Sequence, residues 1–179
     1  LLPLKMNNSM YNPPPELKER CAATEYDHVF RKRLIWGEVH DENAYAIGGA
    51  SGHAGLFSTA SDMARFCQMF LNLGELEGAR ILSPLTVLLM TQNHISYFLG
   101  VQRGYGWYIS TSLRGDIFPL GSYGHTGFTG TSIWIDPFTD SFSIILTNRV
   151  HPNRDNNTLS TIRSKFHNPL AAAIVDLFN

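Results

Sequence analysis

The most constraining feature of this chain is a turn, Asp136-Pro137-Phe138-Thr139-Asp140, set between two short apolar runs, Ile133-Trp134-Ile135 and Ser143-Ile144-Ile145-Leu146. Proline fixes one backbone angle and removes a donor, and aspartate side chains bond their own backbone. The chain therefore reverses here, and the flanking runs are predicted to pair as an antiparallel hairpin. Upstream, Tyr105, Trp107 and Ile109 alternate with smaller or polar neighbours, and Tyr123 to Gly127 forms another extended run. A period of two through this region predicts strands.

The period is different earlier. Thr59-Ala60-Ser61-Asp62 has the form of a capping box, after which Met63, Phe66, Cys67 and Phe70 recur at helical steps until Gly74. Ser83-Pro84 opens a second helix with Leu85, Leu88 and Leu89 as its apolar face. Asn168-Pro169 is predicted to cap a closing helix carrying Leu170, Ile174, Leu177 and Phe178. Residues 1–57 are rich in Pro, Gly and Asn, and Pro13-Pro14-Pro15 excludes regular structure locally, leaving one short helix from Pro15 to Cys21. The order predicts an α+β fold: an antiparallel sheet with a covering C-terminal helix, plus a helical and loop-rich N-terminal portion. The expected organisation is the C-terminal part of a single domain over 1–179, with 1–57 loop-rich, 58–95 helical, and 104–179 sheet and closing helix.

Composition narrows the partners. With 44% hydrophobic residues in 179, the chain has material for a core. Fourteen basic against fifteen acidic residues give a net charge of −1, so there is no electrostatic case for nucleic acid or an anionic membrane surface. A small molecule or peptide is the expected partner. Cys21 and Cys67 have no metal-type spacing and read as small apolar fillers, and no run approaches the roughly 18 apolar residues of a membrane span. The opening Leu1-Leu2-Pro3-Leu4-Lys5-Met6 reads as a cut inside a longer protein, so compartment is not legible from these residues.

The densest chemical signal is Gly124-His125-Thr126-Gly127-Phe128-Thr129-Gly130-Thr131, a histidine among glycines and hydroxyl residues on a strand edge. Glycines let a ligand approach the backbone, and unpaired edge N–H groups can bind an extended substrate or a developing oxyanion. Taken alone, the same residues equally describe a glycine-loosened edge strand with a surface histidine. His125-Thr126-Gly127, however, resembles the Lys-Thr-Gly or His-Thr-Gly strand of penicillin-binding proteins and serine β-lactamases. Gly55 to Phe66 resembles the helix entry of class C β-lactamases and related esterases, and Thr147 to Asn153 resembles the end of their last strand. Gly37 to Ala44 with Gly52-His53-Ala54-Gly55 is similar to a bacterial, low-molecular-weight penicillin-binding branch. The resemblance covers essentially the whole chain, as the C-terminal part of that fold.

That resemblance implies an acyl-transferring serine hydrolase acting through an acyl-enzyme on a lactam, D-alanyl peptide or ester, in an extracytoplasmic setting and without a cofactor or metal. It implies that His125 polarises the site or shuttles a proton, Thr126 bonds a substrate carboxylate or amide, Gly127 keeps the edge open, and the Phe128 N–H is one oxyanion donor. Asn153 would bind a substrate carboxylate, and His53 would stand at the substrate rim. The family's Ser-x-x-Lys nucleophile motif occurs nowhere in these residues, and Ser9-Met10-Tyr11-Asn12 does not reproduce its second motif. Leu2-Pro3-Leu4-Lys5-Met6 resembles the Pro-Leu-Gly-Met that follows that second motif, so both motifs are expected upstream and the piece alone is expected to be close to inert.

Other candidates read more plainly. His40, Asp41, Glu42 and His53 match no zinc spacing and suggest a hydrogen-bonded loop. Gly49-Ala50-Ser51-Gly52-His53 misses the Gly-x-Ser-x-Gly order, which argues against Ser51 as a nucleophile. Tyr105, Trp107, Tyr108 and Trp134 read as sheet-face packing. The alternative function is a non-catalytic penicillin-binding-like accessory module, and a third reading is self-association through an exposed sheet edge.

Overall fold

The computed structural model describes residues 1–95, 101–109 and 112–175. Its centre is a four-stranded antiparallel sheet, β7 (Tyr108–Ile109), β8 (Tyr123–Thr126), β9 (Thr131–Asp136) and β10 (Ser141–Leu146), in the order β10-β9-β8-β7. The hairpin falls where the turn chemistry puts it, with Phe142 opposite Ile135 and Ile144 opposite Ile133. Asp136 makes the reversal by accepting from the Phe138 and Thr139 N–H groups.

One sheet face is covered by α2 (Ala60–Leu71), where Cys67 and Phe70 are buried with Ile109, Tyr123 and Ile135, and Met63 and Phe66 pack around them. The Thr59 hydroxyl caps the helix by accepting from the Asp62 N–H. Asp62 itself turns away from the helix terminus and accepts from the Ser9 hydroxyl and the Asn8 N–H, both at 2.8 Å. The other face is covered by α4 (Leu159–Ala172), with Phe118, Trp134 and Ala171 between them. Gly124 is required by this packing, since a Cβ there would lie 2.2 Å from the Trp134 ring.

The loop-rich N-terminal stretch holds four two-residue strands, β1 (Met10–Tyr11), β2 (Tyr26–Asp27), β3 (Arg33–Leu34) and β4 (Leu56–Phe57), together with the one-turn α1 (Glu42–Ala46) and two 3-10 helices. β1 pairs with β4, and β2 with β3. A further small hairpin, β5 (Glu75–Leu76) with β6 (Ala79–Arg80), joins α2 to α3 (Pro84–Thr91).

Four expectations need correction. The closing helix begins about two turns before Asn168, with Pro169 inside it. Asn168 does not cap; its side chain accepts from the Asp116 N–H and donates to the Asp116 carboxylate, tying the helix to the 112–116 segment. Of its expected apolar positions, Leu177 and Phe178 lie outside the described residues. On α3, Leu85, Leu88 and Leu89 are exposed while Val87 is buried, because the helix meets the core through Val87 and Met90. The segment after Pro15 is a 3-10 helix, Pro15–Arg20, that buries no side chain. Tyr105 precedes the strand and stacks, exposed, on His94 at 4.4 Å, whereas Trp107 and Trp134 are buried as expected of sheet-face packing.

Candidate active site

A cleft of about 890 Å³ opens between the β8–β9 turn and the N-terminal loops. His125, Thr126, Gly127 and Phe128 line one side; His40, Asp41, Ser51 and His53 line another part of the same cleft.

The histidine on β8 is half-buried and held at both nitrogens. Nδ1 lies 2.9 Å from the Thr126 carbonyl, so it carries the proton and donates. Nε2 faces the Arg103 guanidinium at 3.5 Å and accepts. Burial lowers its pKa, with the Arg103 charge acting in the same direction against the Thr126 bond, so the ring is neutral at pH 7. Its face packs on Tyr108, centroids 4.9 Å apart, and the Arg103 guanidinium lies 3.8 Å over that same tyrosine ring.

The turn that follows β8 is fixed from three directions. Gly127 N–H donates to the Thr131 carbonyl, the Arg149 N–H donates to the Thr129 carbonyl, and the Thr147 hydroxyl donates to the Gly130 carbonyl. From α4, the Arg163 guanidinium donates to the carbonyls of both Gly127 and Thr131 at 2.9 Å. Gly130 completes the reversal with φ +122, a region side chains avoid. The result is a rigid loop whose Phe128 N–H and Thr126 hydroxyl bond no group among the described residues.

The Phe128 ring is itself clamped. His40 stacks on it at 5.6 Å, and the Arg149 and Arg154 guanidinium groups lie 4.4 and 5.9 Å from its centroid. Behind it sits a buried carboxylate, Glu25, which accepts from Arg154 Nε at 2.8 Å. His40 Nε2 is 3.0 Å from the same carboxylate but off the hydrogen-bonding direction. Burial opposes the Glu25 charge, yet Arg154 and His40 outweigh it and hold the carboxyl below its usual range. Arg154 also reaches Glu42 at 2.6 Å.

The expected residues are thus only partly brought together. His53 lies in the cleft wall, while Asn153 is exposed outside the cleft, where its side-chain oxygen accepts from the Asp155 N–H. Among the described residues, no group of three or more His, Cys, Asp or Glu side chains is placed to hold a metal ion. Arg103, Arg154, Arg163 and Glu25 were not singled out from sequence. Each is a charge far along the chain from the group it serves, and no spacing rule ties them.

Comparison with known proteins follows the same lines. The Beta-lactamase family profile matches residues 1–165. Proteins from Salmonella paratyphi B and Salmonella newport, whose names carry the words D-alanyl-D-alanine carboxypeptidase, are each 36% identical over 171 residues, covering 83% of this chain. The chain spans 38% of the length of these relatives. Simvastatin synthase from Aspergillus terreus shares the fold with TM-score 0.67 and 19% identity over 98% of this chain and 48% of that one. An octameric penicillin-binding protein homologue from Pyrococcus abyssi does so with TM-score 0.60 and 22% identity, over 96% of this chain and 36% of its own.

Proposed function

The chain belongs to the Beta-lactamase family, and from that premise we propose that it supplies one wall of a serine acyl-transfer site whose nucleophile lies upstream in the same protein. The reaction is hydrolysis of a D-alanyl peptide, lactam or ester through an acyl-enzyme, in the cell envelope. The observation that carries this reading is the loop after β8: an N–H at Phe128 and a hydroxyl at Thr126, both without partners among the described residues, on a backbone pinned by Arg163, Arg149 and Thr147.

The proposed roles are consistent with the geometry. The Phe128 N–H stabilises the oxyanion that forms when the nucleophile attacks the carbonyl, and a donor already fixed in place need not reorganise as charge develops. Thr126 bonds the substrate's carboxylate or amide. His125, neutral with its proton on Nδ1, offers Nε2 as an acceptor shared with Arg103, and so relays a proton or holds the substrate without presenting a second fixed cation. His53 stands at the substrate rim. The nucleophile and its lysine belong to the upstream part, and these 179 residues alone are expected to turn over substrate very poorly.

The test is labelling of the longest reading frame containing this chain with a fluorescent penicillin and a fluorophosphonate, beside hydrolysis of nitrophenyl esters. Covalent labelling of a serine upstream of these 179 residues, together with turnover, supports the reading. If all three fail, the accessory-module alternative replaces it.

A further inference from the structure

Sequence order argued against Ser51 as a nucleophile, but the folded loop sets it in a relay. The Ser51 hydroxyl lies 2.7 Å from His53 Nδ1, and His53 Nε2 lies 3.1 Å from the Asp41 carboxylate. That carboxylate is the N-cap of α1: the Ala44 N–H donates to it at 2.8 Å, which together with His53 keeps its pKa below the usual range against the effect of burial. An ionised carboxylate draws the imidazole proton to Nε2 and leaves Nδ1 free to accept from the serine hydroxyl.

Two further features fit a reactive hydroxyl. The N–H groups of Gly52 and His53 donate to nothing among the described residues. Space over Gly52 is open, since a Cβ built there meets no atom within 4 Å. The Ser51 N–H donates to the Ala54 carbonyl at 3.2 Å, which closes the loop and holds these groups together. All of it lines the same cleft as His125.

We infer that Ser51, His53 and Asp41 form a second nucleophilic centre in the cleft, one that takes acyl groups from small activated esters and phosphonyl groups from organophosphorus electrophiles. Ser51 Oγ bonds to the ester carbonyl carbon and gives its proton to His53 Nδ1. The bond to the leaving alcohol breaks and His53 returns the proton to it. Water then cleaves the Ser51 ester, with His53 taking and returning one proton. With a fluorophosphonate, the Oγ–P bond forms as P–F breaks, fluoride departs, and the proton passes through His53 to solvent.

The experiment treats the longest reading frame containing this chain with a fluorophosphonate and maps the adduct by peptide fragmentation, which separates Ser51 from Ser58, Thr59 and Ser61 on the same stretch. The expected result is a phosphonyl adduct on Ser51, formed at least tenfold more slowly in His53→Ala and absent in Ser51→Ala. An unmodified Ser51, or labelling there that His53→Ala leaves unchanged, overturns the inference. An adduct confined to upstream peptides overturns it too while leaving the proposed acyl-enzyme standing. An adduct at Ser51 with none upstream supports this centre and counts against that one.

Discussion

His40 stacks on Phe128 with ring centroids 5.6 Å apart and 25° between planes, so a residue from the N-terminal loops holds the side chain of a residue that lines the cleft. The contact joins two parts of the chain that share no sequence signal. It also makes the proposed oxyanion donor sensitive to the loop that carries His40. Replacing His40 with alanine is expected to lower kcat/KM of the longer protein by about tenfold, less than the 10²–10³ typical of deleting such a donor outright. Steady-state kinetics beside circular dichroism checks this; unchanged kcat/KM would remove the clamp from the account.

His125 is held neutral chiefly by burial, with Arg103 adding to the effect. Arg103→Ala removes a nearby positive charge, so the imidazole pKa rises. The acid limb of the pH–rate profile is expected to move to higher pH in that variant, and a profile that does not move contradicts a working His125.

Stability should depend on pH through His167. Burial, aided by Arg163, pushes this ring down to about 4 from 6.5, and its Nδ1 lies 2.7 Å from the Ser143 hydroxyl between α4 and the sheet. The unfolded chain then binds more protons than the folded one between these values. The contribution is fully present above about pH 6.5 and is lost as pH falls through the window toward 4. Denaturant midpoints measured across that range are expected to fall with acid in the natural protein and to flatten in His167→Gln.

Gly124→Ala is expected to destabilise the protein by about 1–3 kcal/mol, because the new methyl meets the Trp134 ring and overpacked sites relax at that cost. Since β8 carries His125, the same change should also slow acylation. Urea unfolding and a labelling time course report the two effects separately.

How much of this was legible in the sequence varies with the physics of each element. The hairpin and α2 were readable because turn chemistry, a capping threonine and helical spacing act locally. Asp62 was read as a cap partner, yet its carboxylate serves Ser9 and Asn8 more than fifty residues away. Asn168-Pro169 carried a helix-start signal that tertiary structure overrode, because Asn168 is engaged by Asp116 and the helix was already formed from Leu159. In α3 three leucines suggested a face, but which face is buried depends on the neighbours, and Val87 won. At the site, His125-Thr126-Gly127-Phe128 stood out by residue type, while the arginines that fix the turn and tune the histidine have no pattern until the chain folds.

The central claim is that the β8 wall works with an upstream serine. The most direct measurement is acylation of the longest reading frame by a fluorescent penicillin, resolved by intact mass beside this 179-residue chain and a His125→Ala variant of the longer protein. The account expects one covalent adduct on the longer protein, none on the shorter chain, and acylation of the variant slowed by about a hundredfold. A longer protein acylated equally fast with and without His125 would contradict it.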